Sequence, residues 1–129
     1  MNGQSSAPSR PRAIIVILED DHGARRSLQL LLQALGFEVR AYASPAALLA
    51  DPAVMEASCL IADFCLGETD GIAVFKALRQ LGWEGPAMLM SAYSSAELTA
   101  RAQDAGFCEI LEKPFREHSL LSALARVTG

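Results

Sequence analysis

The stretch Arg12–Asp21, RAIIVILEDD, joins a continuous apolar run to an acidic cluster directly behind it. A run this rich in β-branched residues is typical of a strand that is buried on both faces of a parallel sheet. Three later apolar runs also lead into polar residues, at Asp63, Ser91 and Lys113. Because the carboxyl ends of parallel strands share one edge, where open α/β sheets bind ligands, we expect these side chains to meet there.

Size and composition favour one globular domain over residues 12–129, since the chain has 129 residues and 51% of them are apolar. The net charge of −4 gives no general attraction to nucleic acid or to acidic membranes. Three cysteines without CxxC spacing indicate neither a disulfide framework nor a zinc site. Residues 1–11 are predicted to be a flexible tail without the apolar segment of a secretory signal, so we expect a cytoplasmic location.

Apolar periodicity predicts five strand–helix units in strict alternation. The predicted strands are 12–18, 37–42, 58–63, 86–91 and 107–111. The predicted helices are 22–35, 45–50, 71–81, one that begins at a capping box over 94–97 and ends near 105, and 115–127. Such alternation predicts a single-domain α/β fold, a doubly wound five-stranded parallel sheet with helices on both faces.

The acidic residues at the first and third strand ends form the most demanding part of this pattern. Two carboxylates within about 4 Å repel by about 4 kcal/mol at an effective dielectric constant near 20. A cluster of Glu19, Asp20 and Asp63 is therefore tolerable only if it is protonated, solvated or neutralised by a cation. Oxygen ligands favour Mg²⁺ or Mn²⁺ over zinc.

Each of these residues also has a simpler interpretation when it is taken alone. An acidic pair after a strand is often a solvated loop or a helix cap, and we expect Asp21 to be the N-cap of the first helix. Asp63 alone could be a turn residue, Ser91 a cap and Lys113 a surface lysine. Their convergence on one sheet edge favours a shared site.

Four motifs in order, each at the carboxyl end of a predicted strand, carry a family resemblance. Over residues 12–127 the sequence resembles a response regulator receiver domain, with a flavodoxin-like sheet of strand order 2-1-3-4-5. The motifs are VILEDD at 16–21, DFCLGETDG at 63–71, SA at 91–92 and KPF at 113–115. The resemblance also implies a cis Lys113–Pro114 peptide bond.

The resemblance implies a metal site at this edge. Asp20 and Asp63 would bind Mg²⁺ directly, together with the backbone carbonyl of Cys65. Glu19, which replaces the commoner aspartate, would act through water.

The resemblance also implies a phosphoacceptor function in two-component signalling. Asp63 would accept phosphate from a phosphohistidine of a sensor histidine kinase or a histidine phosphotransfer protein. Lys113 would offset charge on the phosphoryl group, and Ser91 would donate its hydroxyl to that group afterwards. Output would follow a population shift at the face of the fourth helix, fifth strand and fifth helix, through contact with an unknown protein and without direct nucleic-acid or membrane binding.

Besides Glu19, two positions depart from the family pattern. Ile110 stands at the switch position, three residues before Lys113, where the family has a Tyr or Phe ring that moves inward. Tyr93 is a candidate for part of that role, or for shielding the acyl phosphate from water. Gly67 replaces the usual proline, and we expect a looser loop there.

Two other functions fit parts of the pattern. A metal-dependent phosphohydrolase also uses an aspartyl nucleophile, but it usually has a second Asp two residues later, where this chain has Cys65. A degenerate receiver that serves only for docking is disfavoured, because the acidic cluster and Lys113 are both retained. We therefore expect a signalling domain and no enzyme, as a monomer or weak homodimer, either a stand-alone protein or a part of a longer regulator.

Overall fold

Five parallel strands form one sheet in the computed structural model, which describes residues 12–128. The strands are β1 (Ile14–Leu18), β2 (Glu38–Tyr42), β3 (Cys59–Asp63), β4 (Ala87–Ser91) and β5 (Glu109–Glu112). Their order across the sheet is β2-β1-β3-β4-β5, which confirms the order 2-1-3-4-5. The predicted tail at residues 1–11 lies outside the described residues.

Helices cover both faces of the sheet, as predicted. They are α1 (His22–Ala34), α2 (Pro45–Ala50), α3 (Gly71–Gln80), α4 (Ala96–Ala105) and α5 (Glu117–Thr128). One buried cluster joins strand residues to α1 and α5, and a second joins the opposite face to α2, α3 and α4. Across the described range, no helix combines the length and the apolar content that crossing a bilayer requires.

The start of α4 corrects one prediction. The predicted capping box over 94–97 needs Ser94 as the cap and Glu97 as the third helical residue. In the structure Ser95 is the cap, since its hydroxyl accepts from the Leu98 amide at 3.0 Å, and Glu97 is then the second helical residue. The predicted box is therefore wrong by one residue, although the helix itself forms.

The fifth strand and fifth helix both begin two residues later than predicted. Phe107 is buried beside Phe75, with ring centroids 4.5 Å apart, so tertiary packing rather than strand pairing uses its apolar side chain. Strand pairing in β5 begins at Glu109, and α5 begins at Glu117 rather than 115.

Two small elements were not predicted. A 3₁₀ helix (Pro52–Glu56) precedes β3, and a two-stranded antiparallel hairpin pairs Cys65–Leu66 with Thr69–Asp70. Gly67 lies in the turn of this hairpin with φ of 77°, a value that proline cannot adopt. The loop that we expected to be looser therefore forms a defined turn that needs glycine.

Asp70 and Gly71 bring α3 directly against the end of β3. The Asp70 carboxylate caps the helix by accepting from the Ala73 amide at 2.8 Å, as predicted. A Cβ atom added to Gly71 would lie 2.5 Å from the backbone oxygen of Asp63 and 3.0 Å from Leu89 Cδ1. Only glycine allows this approach, so the backbone of α3 at Gly71 can pack directly against the backbone of Asp63.

We predict that Gly71→Ala lowers the free energy of unfolding by about 2 kcal/mol, because the new methyl group displaces backbone that cannot move freely. The measurement is urea unfolding followed by circular dichroism. Gly23→Ala is the control, because its Cβ would meet only Asp21 Oδ2 at 3.5 Å, and alanine is the better helix former. Equal stability of the two variants would contradict the close approach at Gly71.

Candidate functional site

The predicted site residues lie at the carboxyl edge of the sheet. Glu19 directly follows β1, Asp63 ends β3, Ser91 ends β4 and Lys113 directly follows β5. Glu19, Asp63 and Ser91 are 2%, 7% and 2% exposed, and they are the buried polar residues of the range 12–128. Because burying polar groups is costly without partners, their partners decide what this edge can do.

Lys113 joins the two buried carboxylates. Its Nζ lies 2.6 Å from Glu19 Oε1 and 3.2 Å from Asp63 Oδ2. Burial lowers the pKa of Lys113, but the hydrogen bond to Glu19 and the charges of Asp63 and Glu19 outweigh burial, so the pKa lies above its ordinary value. The ammonium therefore stays charged at neutral pH and compensates part of the acidic cluster.

Glu19, Asp20 and Asp63 come together as predicted. One oxygen from each carboxylate lies within 4.8 Å of the others, and Asp20 is exposed to solvent. If all three carboxylates are ionised, the Lys113 ammonium leaves two negative charges uncompensated, and one divalent cation would neutralise them. An all-oxygen donor set fits a hard cation such as Mg²⁺.

Glu19 differs from the other two acids because both of its oxygens already have partners. Oε1 accepts from Lys113, and Oε2 accepts from the Asp21 amide at 3.2 Å. The Asp21 carboxylate caps α1 by accepting from the Ala24 amide at 2.8 Å, which confirms its predicted role as a cap.

Ser91 lies at the same edge, but its hydroxyl bonds elsewhere. Oγ donates to the backbone carbonyl of Tyr93 at 2.7 Å and accepts from the Tyr93 amide at 3.1 Å. The hydroxyl thus bonds to the segment that precedes α4 rather than to the carboxylates. The Tyr93 side chain is 76% exposed.

Ile110 lies in β5 beside Leu89 of β4 and is half-buried. It packs against the core cluster on the face that carries α4. The switch position therefore holds an aliphatic side chain that is already in contact with the core.

An apolar cavity borders Glu19 and Lys113 on the face that carries α1. It is lined by Ala24, Leu28, Met90, Ala92, Pro114 and Phe115. The Lys113–Pro114 peptide bond is cis, as the family resemblance implied.

Two residues that shape the site were missed at the sequence level. Gly71 could have been suspected from the Asp70–Gly71 pair at a helix start, where a missing side chain permits close approach. Arg25 bonds to the backbone carbonyls of Glu19 at 3.0 Å and Asp20 at 3.4 Å. Because Arg25 lies four residues after Asp21, the sequence suggests an ion pair between these two side chains. Nothing in the sequence indicates the bonds to the backbone carbonyls.

In the absence of metal ions, we predict that Lys113→Met lowers the free energy of unfolding by about 3 kcal/mol, because two buried carboxylates lose their cation. Added Mg²⁺ should stabilise this variant more than the original chain, because the metal and the ammonium neutralise the same carboxylates. Thermal unfolding with and without Mg²⁺ measures both effects.

The matched control is Lys76→Met, which removes the charge of an exposed lysine on α3. We expect little change in its stability or its response to Mg²⁺. The same loss in both variants would contradict the role assigned to the Lys113 bridge.

Comparison with known proteins agrees with this geometry. The sequence matches the family described as "Response regulator receiver domain" over residues 15–125. The response regulator protein TmoT of Ectopseudomonas mendocina is 32% identical over 124 residues, which cover 96% of this chain and 53% of that protein. Nodulation protein W of Bradyrhizobium diazoefficiens is 32% identical over 117 residues, which cover 91% of this chain and 52% of that protein.

A solved structure shares the fold. The chemotaxis protein CheY4 of Vibrio cholerae superposes with a TM-score of 0.80 at 24% identity, over 90% of this chain and 98% of that chain. The chain spans about half the length of the curated relatives described above. Because the family match covers most of the chain, the chain belongs to the response regulator receiver domain family.

Proposed function

We propose that this receiver domain accepts a phosphoryl group on Asp63 from a phosphohistidine of a sensor histidine kinase or a histidine phosphotransfer protein. The observation that carries the proposal is the Lys113 ammonium between Glu19 and Asp63, with Asp20 completing the acidic cluster. This arrangement pairs a carboxylate nucleophile with a fixed positive charge at the point where a phosphoryl group would arrive.

The transfer is a displacement at phosphorus. A carboxylate oxygen of Asp63 forms the new P–O bond while the P–N bond to the histidine breaks, and the imidazole nitrogen leaves with the electron pair and takes up a proton. Lys113 contacts Asp63 Oδ2 at 3.2 Å, so its ammonium offsets charge on the phosphoryl oxygens during the displacement. The product is an acyl phosphate on Asp63.

The acidic cluster is of the kind that holds Mg²⁺ in receiver domains. In this chain Asp20 and Asp63 would bind Mg²⁺ or Mn²⁺ directly, with the backbone carbonyl of Cys65. Glu19 would act through water, which agrees with both of its oxygens having protein partners. When bound, the ion supplies positive charge to the phosphoryl oxygens.

Switching in this chain would begin at Ser91. If its hydroxyl turns to donate to the phosphoryl group, the Tyr93 carbonyl loses its donor, and the segment before α4 must find new partners. Ile110 would repack without a ring that swings inward. Changing a two-state equilibrium from mostly off to mostly on needs about 5.5 kcal/mol of differential stabilisation.

Output would follow at the face formed by α4, β5 and α5, through contact with another protein or domain. Membership in this family implies a cognate histidine kinase, and several relatives, TdiR and FixJ among them, are named as transcriptional regulatory proteins. We propose that the receiver itself makes no direct contact with nucleic acid or membrane, acts in the cytoplasm and is a monomer or weak homodimer.

The direct test is labelling by acetyl phosphate. We expect Mg²⁺-dependent incorporation of one phosphoryl group per chain, detected by intact-mass spectrometry, and no incorporation by Asp63→Asn. Asp104→Asn makes the same chemical change at an exposed position on α4 and should label normally. Labelling of Asp63→Asn, or sustained hydrolysis of a phosphate ester by the original chain, would overturn the proposal.

Tyr93 provides a second test. If its ring shields the acyl phosphate from water, Tyr93→Ala should shorten the lifetime of the phosphorylated form several-fold, whereas Tyr93→Phe should keep it. The measurement is decay of the label after acetyl phosphate is removed. An unchanged lifetime in Tyr93→Ala rules out shielding and leaves phosphorylation at Asp63 untouched.

A further inference from the structure

Arg25, in the first turn of α1, uses its guanidinium to hold the loop that joins β1 to α1. Nη1 donates to the backbone carbonyl of Glu19 at 3.0 Å and to that of Asp20 at 3.4 Å. Nη2 lies 3.1 Å from His22 Nδ1. The carbonyls that it contacts belong to two of the three acidic residues of the site.

Two electrostatic effects oppose each other at this position. The first turn of a helix carries the positive end of the helix dipole, which disfavours a cation, whereas Glu19, Asp20 and Asp21 directly before α1 favour one. The hydrogen bonds of Arg25 to the two carbonyls fix where its guanidinium lies. Arg26, the next residue, is exposed and forms none of these bonds.

The planar fork of the guanidinium matters as well as its charge. One nitrogen reaches two carbonyls while the other reaches a side chain of the same helix, which a single ammonium cannot reproduce. The loop is short, because Asp21 already caps α1. Fixing the carbonyls of Glu19 and Asp20 therefore limits the directions in which their carboxylates can point.

We infer that Arg25 is a positioning residue: it holds the backbone of Glu19 and Asp20 so that their carboxylates face Asp63, and it thereby sets the affinity for Mg²⁺. The inference rests on the proposed function, since it concerns the same acidic cluster. It assigns Arg25 no contact with the phosphoryl group.

The effects of charge and of position have opposite signs here. A positive charge near the cluster repels a metal cation, so its removal should strengthen Mg²⁺ binding if charge alone acts. If Arg25 positions the loop, its removal should weaken Mg²⁺ binding. The sign of the change therefore distinguishes the two roles.

The experiment is calorimetric titration of Mg²⁺ into the full chain without phosphodonor. We expect Arg25→Gln to bind Mg²⁺ about three- to tenfold more weakly, and Arg25→Lys to be weakened as well because the charge stays but the fork is lost. Arg26→Gln removes the same charge one residue away and should bind as tightly as the original chain or slightly more tightly.

Two further readouts distinguish positioning of the loop from direct contact with phosphate. In the metal-free protein, amide hydrogen exchange at residues 19–21 should be faster in Arg25→Gln than in Arg26→Gln. At saturating Mg²⁺, the KM for acetyl phosphate should be unchanged in Arg25→Gln, whereas a raised KM would show a direct contact with phosphate and overturn the inference.

The possible outcomes distinguish failure of the Arg25 inference from failure of the proposed function. If the original chain binds Mg²⁺ and accepts phosphate but Arg25→Gln binds Mg²⁺ equally or more tightly, the inference alone fails. If the original chain neither binds Mg²⁺ nor accepts phosphate, the proposed function fails and the inference fails with it.

Discussion

One ammonium group makes the acidic edge of this sheet possible. Lys113 follows β5, two strands away from β3, and adjacent strands lie about 4.8 Å apart. Its long side chain passes β4 and ends between Asp63 and Glu19. Without that reach, two carboxylates would be buried at neighbouring strand ends with no fixed positive charge beside them. The charge compensation of the acidic cluster depends on this bridge.

Much of the fold and part of the site followed from the sequence, because a few strong local signals coincide. The apolar run before Glu19 is long enough to identify a buried strand, and strict alternation of strands and helices limits the topology. The strand order came from the family resemblance rather than from periodicity. The meeting of Glu19, Asp63 and Lys113 followed from their common position behind parallel strands, which fixes where side chains emerge even when their contacts are unknown.

The features that escaped prediction depend on tertiary contacts. Ser94 and Ser95 are equivalent caps at the sequence level, and backbone geometry selects Ser95. Gly67 appeared as a missing proline, whereas its positive φ reveals a hairpin turn. Nothing in the spacing of Arg25 indicates that it bonds to two carbonyls of the preceding loop. In each case the deciding partner is backbone, which sequence patterns do not describe.

The close packing of Gly71 against the Asp63 backbone has a consequence for the direction in which this domain would relay a signal. Because no side chain lies between α3 and the Asp63 carbonyl, α3 packs directly against the end of β3. A displacement of Asp63 toward α3 would therefore meet backbone atoms. On the other side of the pocket, Ser91 is joined to the segment before α4 by two hydrogen bonds between its hydroxyl and the Tyr93 backbone. Phosphorylation of Asp63, as proposed, would meet close-packed backbone on one side and hydroxyl hydrogen bonds that can exchange partners on the other. Under the proposed function, motion would therefore be directed toward α4, and this direction would not depend on an aromatic switch.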